Sequence, residues 1–278
     1  MHKASRDPHA DLAQVLEARF GPGQGGDATA VGAAAAASLA RLAGRRACRR
    51  YAAQPIGEGL MRLVLAAGFA APSKSDLQQA DVVWVRDPGL RAEVTRDCGD
   101  WVVDPDTGPA EVLVICGDGA RFAALYDGGE FPNDHFDALF NATGDAAILL
   151  ANLVAAAALA GLGSCPISVM RNRAAEVSEA LGLPERVFPF AGLALGWPLE
   201  PEAPISARLG PAGALHIDRF DAGGQPAAVA AYDARRAAAQ TGSDGRPFVW
   251  SEAKRRQYAR AQRAEFGAFL RARGFSME

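Results

Sequence analysis

The stretch AAILLANLVAAAALAGLG (146–163) followed by SCPIS (164–168) decides the fold. The first part is long, nearly uncharged and rich in alanine, and it predicts a buried helix. The second part predicts a tight glycine-containing turn, because glycine lacks a Cβ and tolerates positive φ. Such a turn lets the backbone come close to a flat ligand. We therefore predict a buried helix that ends in a turn lying against a planar ring.

The residues that follow complete one packing unit. The segment RNRAAEVSEALGL (171–183) has the charge pattern of an amphipathic surface helix. The apolar run AGLALGWP (191–198) predicts a buried strand that is closed by Gly-Trp-Pro. The predicted order is thus buried helix, turn, surface helix and buried strand.

Residues 146–163 have other interpretations. Eighteen residues are at the lower limit for a membrane-spanning helix, but Asn152 lies in the middle and no basic flank follows. A core helix or a subunit-interface helix is the better interpretation. The Gly-Leu-Gly that ends the segment is also a C-terminal helix cap, which is compatible with a ligand nearby.

Composition restricts the function classes. The 278 residues carry a net charge of −3, which gives no indication of nucleic acid or an anionic membrane as a partner. The cysteines at 48, 98, 116 and 165 lack paired spacing, so neither a disulfide framework nor a metal site is predicted. The first residues have no apolar signal-peptide core. We expect a cytoplasmic protein without a bound metal.

Strand candidates are few. Apolar runs at 80–87, 110–116 and 191–196 are separated by many helical segments, which predicts an α+β domain with a small mixed sheet flanked by helices. The residues CGDGARFAAL (116–125) resemble a nucleotide-binding loop, but the third glycine of that motif is missing. A dinucleotide-binding domain of that type is therefore not favoured.

The two ends of the chain look like additions to this domain. DPHADLAQVLEARF (7–20) predicts a short helix and GPGQGGD (21–27) a flexible linker. We assign residues 1–40 to an N-terminal extension and 41–278 to a single domain, and we expect 1–28 to be dispensable for ligand binding. A basic amphipathic helix is predicted at 251–274, as a C-terminal extension.

Four arginines fall close together in GRRACRRYAAQPI (44–56). On a helix, Arg45 and Arg49 would share one face. Guanidinium groups that converge suit a phosphate, because the planar fork binds oxyanions through two hydrogen bonds. A solvated basic face is the alternative interpretation.

A polar loop, PSKSDLQ (72–78), follows a predicted helix. Its hydroxyl and amide side chains could hydrogen-bond the edge of a heterocycle. A plain turn with a serine cap explains the same residues equally well.

Five segments, in the right order, resemble the nitroreductase family of FMN-dependent oxidoreductases, and most closely the subgroup of the major oxygen-insensitive nitroreductase and flavin reductase P. The segments are 45–51, 72–78, 161–172, 195–198 and 206–211. The chain departs from the family pattern at several positions. Serine is replaced by Ala47, asparagine by Asp76, two glycines by Ser168 and Val169, and lysine by Ser206.

The resemblance implies an intertwined homodimer and a set of residues that contact FMN. The residues implied are Arg45, Arg46, Ala47, Arg49, Ser73, Ser75, Gln78, Pro166, Ile167, Ser168, Val169, Ser206 and Arg208. It places the backbone N–H of Ser168 near flavin N5. Arg246 is the cation in the loop where relatives hold the NADPH 2′-phosphate. No side chain is implied to be catalytic.

By this resemblance the protein is an NAD(P)H oxidoreductase that reduces nitroaromatic, quinone or flavin-type acceptors, in a ping-pong cycle on FMN. Whether NADPH or NADH is the donor stays open. Two alternatives also stay open. One is a flavoenzyme of the same fold with another reaction, such as a dehydrogenase, a dehalogenase or a flavin-fragmenting enzyme. The other is a flavin-binding protein without catalysis.

Overall fold

The structure is a computed structural model that describes residues 7–126, 131–199, 204–242 and 245–278. Residues 1–6 of the predicted N-terminal extension and residues 243–244 of the loop before Arg246 lie outside this description. The chain divides into two compact units. The first comprises Met1–Arg46 and Ala203–Gln262, and the second comprises Ala47–Glu202 and Arg263–Glu278.

Eleven helices and four strands are used below. The helices are α1 (Pro8–Phe20), α2 (Ala33–Gly44), α3 (Glu58–Phe69), α4 (Pro88–Val94), α5 (Ala120–Ala123), α6 (Phe136–Leu159), α7 (Ala174–Ala180), α8 (Pro211–Ala214), α9 (Gln225–Ala239), α10 (Trp250–Gln257) and α11 (Phe266–Ala272). The strands are β1 (Ala80–Val85), β2 (Glu111–Asp118), β3 (Gly163–Ile167) and β4 (Val187–Gly196).

The second unit is built on one sheet, with strand order β1-β2-β4-β3. All three strand pairs are antiparallel. A single parallel bridge joins Ala47 to Ser164. This bridge lies outside the named strands, so among the described residues the sheet is wholly antiparallel and the prediction of a mixed sheet is wrong. The predicted α+β class is confirmed.

Strand β3 corrects the prediction of a tight turn at 164–168. The turn lies earlier, at Gly161, whose φ of 81° is left-handed. The chain then runs extended from Gly163 and pairs with β4, with Cys165 opposite Ala194. Pro166 is tolerated because β3 is the last strand in the sheet order, where a residue without an N–H can face away from the ladder.

Helix α6 confirms the predicted buried helix but begins ten residues earlier, at Phe136. It packs on the sheet together with α3, around the fully buried Leu153 and Leu193. Gly68 allows this approach, because a Cβ there would lie 2.3 Å from a Leu153 methyl group. Asn152, the polar residue in this apolar helix, donates a 2.8 Å hydrogen bond to the Ala67 carbonyl of α3.

Within the described residues, α6 is the one helix with the length and apolar composition to cross a membrane. Its packing against α3 and the sheet buries 39% of the most apolar stretch. Part of its surface is nevertheless uncovered in the single chain, since Phe136, Phe140 and Ile148 are exposed.

Two predicted helices are shorter than expected. The segment 171–183 forms a 3-10 turn at Val169–Arg173 and then the short helix α7. The predicted C-terminal helix at 251–274 is divided into α10 and α11. The connection between them includes Arg263 with φ 55°, a left-handed conformation that interrupts helical geometry.

The first unit contains α1 and α2, which pack on each other around Leu12, Ala28 and Ala36. Asp7 caps α1 by accepting a hydrogen bond from the His9 N–H at 3.0 Å. The predicted N-terminal helix is therefore present and has a small core of its own with α2.

Candidate functional site

The arginine segment begins where helix α2 ends. Arg45 has φ −56° and ψ 150°, which is an extended conformation, and the chain continues without helix to Tyr51. The helical spacing predicted to bring Arg45 and Arg49 to one face is thus wrong. Side chains of an extended segment alternate in direction, so neighbouring arginine side chains point to opposite sides of the segment.

Arginines of the first unit come together around Arg19. Burial, followed by the charges of Arg208, Arg45 and Arg46, lowers the pKa of Arg19 to about 10. The pKa of Arg45 is lowered as well, by burial first and then by Arg208. The structure puts Arg46 and Arg208, which are 162 positions apart in the sequence, within electrostatic range of the same guanidinium.

Hydrogen bonds with Arg19, Tyr232 and Arg235 hold the backbone of residues 206–208 in place. The carbonyl of Ser206 accepts a 2.5 Å hydrogen bond from Arg19, and the N–H of Arg208 donates to the Arg19 carbonyl at 2.7 Å. Tyr232 donates to the Ala207 carbonyl at 3.0 Å, and Arg235 donates to the Arg208 carbonyl at 2.9 Å. The Arg208 side chain itself is exposed.

In the second unit, residues 47–51 run beside β3. Ala47 bridges Ser164, and the Cys48 N–H donates to the Ser164 carbonyl at 2.9 Å. The fully buried Tyr51 donates a 2.6 Å hydrogen bond from its hydroxyl to the Cys48 carbonyl. Arg49 is exposed, with its guanidinium carbon 6.0 Å from the centre of the Trp101 ring.

The end of β3 has two exposed residues. Pro166 and Ser168 are exposed, Val169 is half-buried and Ile167 is buried below them. Ser168 begins the 3-10 turn, and its carbonyl accepts a 3.2 Å hydrogen bond from the Arg171 N–H. Gly192 of β4 lies under this turn, where a Cβ would be 2.3 Å from the Met170 methyl group.

The polar loop at 72–78 is strained. Ser75, Asp76 and Gln78 have φ values of 50°, 59° and 52°, which side chains with a Cβ adopt at some cost. Ser73 accepts a 3.2 Å hydrogen bond from the Gln78 N–H, and the Gln78 side chain donates to Asp76 at 3.0 Å. The loop is therefore more defined than a simple turn with a serine cap.

Asp145 of α6 holds this loop in place. The sequence analysis did not identify Asp145 as a site residue. Its buried carboxylate accepts a hydrogen bond at 2.9 Å from each of two backbone N–H groups, those of Lys74 and Gln79. A lone carboxylate immediately before the uncharged run at 146–170 was the available signal. Arg121 supports the same loop from outside by donating to the Gln78 carbonyl and, at 2.5 Å, to Asp81.

Arg246 is exposed and lies in the first unit. A bridge between Thr241 and Pro247 closes its loop, and the Arg246 carbonyl accepts from the Gly242 N–H at 2.7 Å. No geometry around Arg246 identifies a bound phosphate.

Metal ligation is not indicated in the described part of the chain. It contains no group of three or more His, Cys, Asp or Glu side chains that could hold a metal ion. The four cysteines are free thiols. Burial raises the pKa of Cys116 to about 12, so this thiol is protonated at neutral pH.

Comparison with known families gives two matches that together cover most of the chain. The profile of the nitroreductase family matches residues 42–197. The profile of the C-terminal domain of that family matches residues 206–278. The first match begins at the end of α2 and ends with the Gly-Trp that closes β4.

Three relatives of this chain have names that refer to the reduction of flavins or nitro compounds. The NADPH-flavin oxidoreductase of Vibrio harveyi is 32% identical over 161 residues, which are 58% of this chain and 65% of the relative. The FMN reductase of Bacillus subtilis is 31% identical, over 58% of this chain and 66% of the relative. The chain thus matches slightly less than two thirds of these two relatives. The oxygen-insensitive NADPH nitroreductase of Salmonella typhimurium is 27% identical over 84% of this chain and 96% of the relative.

Solved structures resemble the chain over a greater length. The NADPH:FMN oxidoreductase from Vibrio harveyi in complex with NAD⁺ has a TM-score of 0.76 and 27% identity, and the match covers 87% of this chain and 99% of that one. Nitroreductase A from Vibrio parahaemolyticus also has a TM-score of 0.76 and 27% identity, over 87% and 98% of the two chains.

Proposed function

The chain belongs to the nitroreductase family, and from this premise we propose that it is an FMN-dependent NAD(P)H oxidoreductase. Its acceptors would be small electron-poor molecules of the nitroaromatic, quinone or flavin type. The relatives named above support the class of reaction, since their names include FMN or flavin reductases and an NADPH nitroreductase.

One observation carries the proposal, namely the assembly of arginines in the first unit. Arg45, Arg46 and Arg208 lie within electrostatic range of the buried Arg19, and a bound anion would offset this concentration of positive charge. A phosphate ester fits such a site, because guanidinium groups bind its oxygens through paired, charge-assisted hydrogen bonds. Arg46 and Arg208 are the residues that we propose to hold the FMN phosphate, with Arg45 and the backbone at Ser206 beside it.

Residues 166–169 and 72–78 offer the contacts that a flat heterocycle needs. Pro166 and Ser168, which are exposed, would lie against the ring with Ile167 and Val169, and the Ser168 N–H would be near its N5 atom. Ser73, Ser75 and Gln78 would supply hydroxyl and amide groups for the polar edge or the ribityl chain. Ala47 would contribute backbone only, since it has no hydroxyl.

When bound, FMN would accept a hydride from NAD(P)H and pass it to the acceptor in a ping-pong cycle. The protein's part is to orient the ring and to supply charge. We assign Arg49 to the pyrimidine edge, where its cation would offset negative charge on the ring. No side chain needs to act as nucleophile or general base. Arg246 is the proposed contact for the 2′-phosphate of NADPH.

We also propose a homodimer. Supporting it, Phe136, Phe140 and Ile148 leave an apolar stripe of α6 exposed in the single chain. A sedimentation measurement tests this directly. A monomer at micromolar concentration that still holds FMN would overturn the dimer and leave the reaction class intact.

We further propose a cellular location and a division of the chain. A cytoplasmic location is supported by the four free cysteines, which a reducing compartment preserves. The division into an extension at 1–40 and an FMN-binding domain at 41–278 is likewise proposed on the sequence alone.

The experiment that tests the function is spectroscopic. Purified protein reconstituted with FMN should be yellow, should bleach on mixing with NADPH or NADH, and should regain colour with a nitroaromatic or a quinone. Comparison of the two bleaching rates identifies the donor. A protein that remains colourless in excess FMN would overturn the proposal. Bleaching without reoxidation by any acceptor of these types would favour another reaction on the same fold.

A further inference from the structure

Arg19 is a buried cation that the proposed function leaves unexplained. It lies in the last turn of α1, within the segment that sequence reasoning treated as an appendage. Only 6% of its surface is exposed, which is unusual for arginine. A buried guanidinium needs hydrogen-bond partners, so its contacts indicate what it does.

Its contacts are with the backbone of three segments. Nε and Nη2 donate to the Ala43 carbonyl at 2.9 and 2.7 Å. Nη2 also donates to the Arg45 carbonyl at 2.5 Å, and Nη1 donates to the Ser206 carbonyl at 2.5 Å. The guanidinium thus joins the end of α2, the first residue of the arginine segment and the segment that carries Arg208.

The backbone of Arg19 adds a further link. Its carbonyl accepts from the Arg208 N–H at 2.7 Å, so Arg19 contacts the 206–208 segment through both side chain and main chain. Each of the arginines proposed to bind phosphate is next to, or part of, a peptide group that Arg19 holds. Arg46 follows Arg45 directly, and Arg208 is two residues after Ser206.

The buried position of Arg19, close to three other arginines, is electrostatically unfavourable. Arg208, Arg45 and Arg46 all repel Arg19, and this repulsion adds to the effect of burial. The carbonyl oxygens of Ala43, Arg45 and Ser206 offset the charge of Arg19. A simple helix cap could be made by a neutral side chain, whereas a planar fork reaches carbonyls on separate segments at once.

We propose that Arg19 is the positioning residue of the phosphate site: it fixes the three backbone segments from which Arg45, Arg46 and Arg208 reach a phosphate ester. This inference rests on the proposed FMN function. It makes α1 necessary for tight binding of the phosphate, contrary to the expectation that residues 1–28 are dispensable.

The test compares FMN with riboflavin, which has the same ring and no phosphate. Full-length Arg19→Gln and Arg19→Lys are measured for both ligands by quenching of flavin fluorescence, with Arg41→Gln on α2 as the matched control. For Arg19→Gln we expect the Kd for FMN to rise by about tenfold or more, with the Kd for riboflavin unchanged. Lysine keeps the charge without the fork, so Arg19→Lys should restore part of the FMN affinity.

A second measurement does not depend on affinity. At saturating FMN, the phosphorus NMR signal of the bound ligand should shift in Arg19→Lys and stay in place in Arg41→Gln. An unchanged Kd for FMN and an unchanged signal would overturn the inference. So would equal losses for FMN and riboflavin, which would indicate general unfolding. A wild-type chain that does not prefer FMN to riboflavin would instead overturn the proposed function.

Discussion

The carboxylate of Asp145, inside helix α6, accepts a 2.9 Å hydrogen bond from the backbone N–H of Gln79. The other carboxylate oxygen accepts from Lys74 at the same distance. One buried side chain therefore anchors both ends of the strained loop that carries Ser75 and Gln78. A loop of this kind keeps its shape only while its surroundings hold it.

The first prediction concerns this anchor. Asp145→Asn retains one oxygen but turns an amide N–H toward a backbone N–H, leaving a buried donor unsatisfied. We expect a loss of about 1–3 kcal/mol in the free energy of unfolding, measured in urea, and weaker retention of FMN. Asp137→Asn, an exposed site on the same helix, is the control and should change neither quantity. Equal stability of the two variants would show that Asp145 is not an anchor.

The second prediction concerns the phosphate. Arg46→Ala and Arg208→Ala should each remove a charge-assisted contact of roughly 1.5–3 kcal/mol, so that FMN is lost on dialysis. Arg62→Ala, an exposed arginine paired with Glu58 on α3, should retain its flavin. The measurement is the ratio of flavin to protein absorbance after extensive dialysis. Full retention in both test variants would contradict the phosphate assignment.

A third prediction follows from a close packing contact at the end of β4. A Cβ at Gly196 would lie 2.5 Å from the ring of Tyr51, which is fully buried and has no room to move. Gly196→Ala should therefore destabilise the fold by about 1–3 kcal/mol. Gly59→Ala, on α3 with open space around it, should leave stability unchanged or slightly raised. Urea unfolding of both variants checks the contrast.

The fourth prediction concerns acid stability. Hydrogen bonds from Arg186 at 2.7 and 2.6 Å lower the pKa of Asp134 below its ordinary 3.8. Because the folded-state pKa is the lower one, the pair stabilises the fold above pH 3.8, and this contribution is lost as the pH falls through the folded-state value.

Asp134→Asn should accordingly be less stable than the wild type at pH 7, by about 1 kcal/mol since the pair is partly exposed. The difference should shrink as the pH falls below 3.8. Arg186→Gln should show the same pH dependence. Unfolding curves in urea between pH 7 and pH 3 test this prediction. A stability difference that stays constant with pH would contradict the stabilising role of the Asp134–Arg186 pair.

A fifth prediction tests the dimer. Phe140 is 63% exposed on α6 in the single chain. Phe140→Glu should shift the sedimentation coefficient from that of a dimer to that of a monomer, because a buried unpaired charge would oppose association. Val103→Glu, at an exposed site outside α6, should remain a dimer. Identical sedimentation of both variants would exclude this face from the interface.

Sequence patterns predicted the parts of the fold in which long apolar runs decide the structure. Helix α6, strands β1 and β2 and the Gly-Trp end of β4 were all visible in this way. Strand β3 was not, because its glycine, serine and proline are typical of turns. Only the ladder with β4 makes it a strand. Tertiary pairing here overrides local preference.

Local sequence patterns also predicted only part of the candidate site. The arginine segment was recognisable from its composition, yet a helical spacing was wrongly assumed, although Gly44 at the end of α2 is a residue type that commonly ends helices. Arg19 and Asp145 were missed for another reason. Each acts on backbone groups far away in the chain, and the sequence does not indicate which carbonyl or N–H a single charged residue will meet.

The position of strand β3 at the edge of the sheet also affects the solubility of the protein. The end strand of a sheet can recruit strands from other molecules and so begin aggregation. Here Ala47 and Cys48 already occupy the outer side of Ser164, and Pro166 has no N–H to offer an incoming strand. The segment that we place against the ring is thereby also a barrier to intermolecular β-pairing.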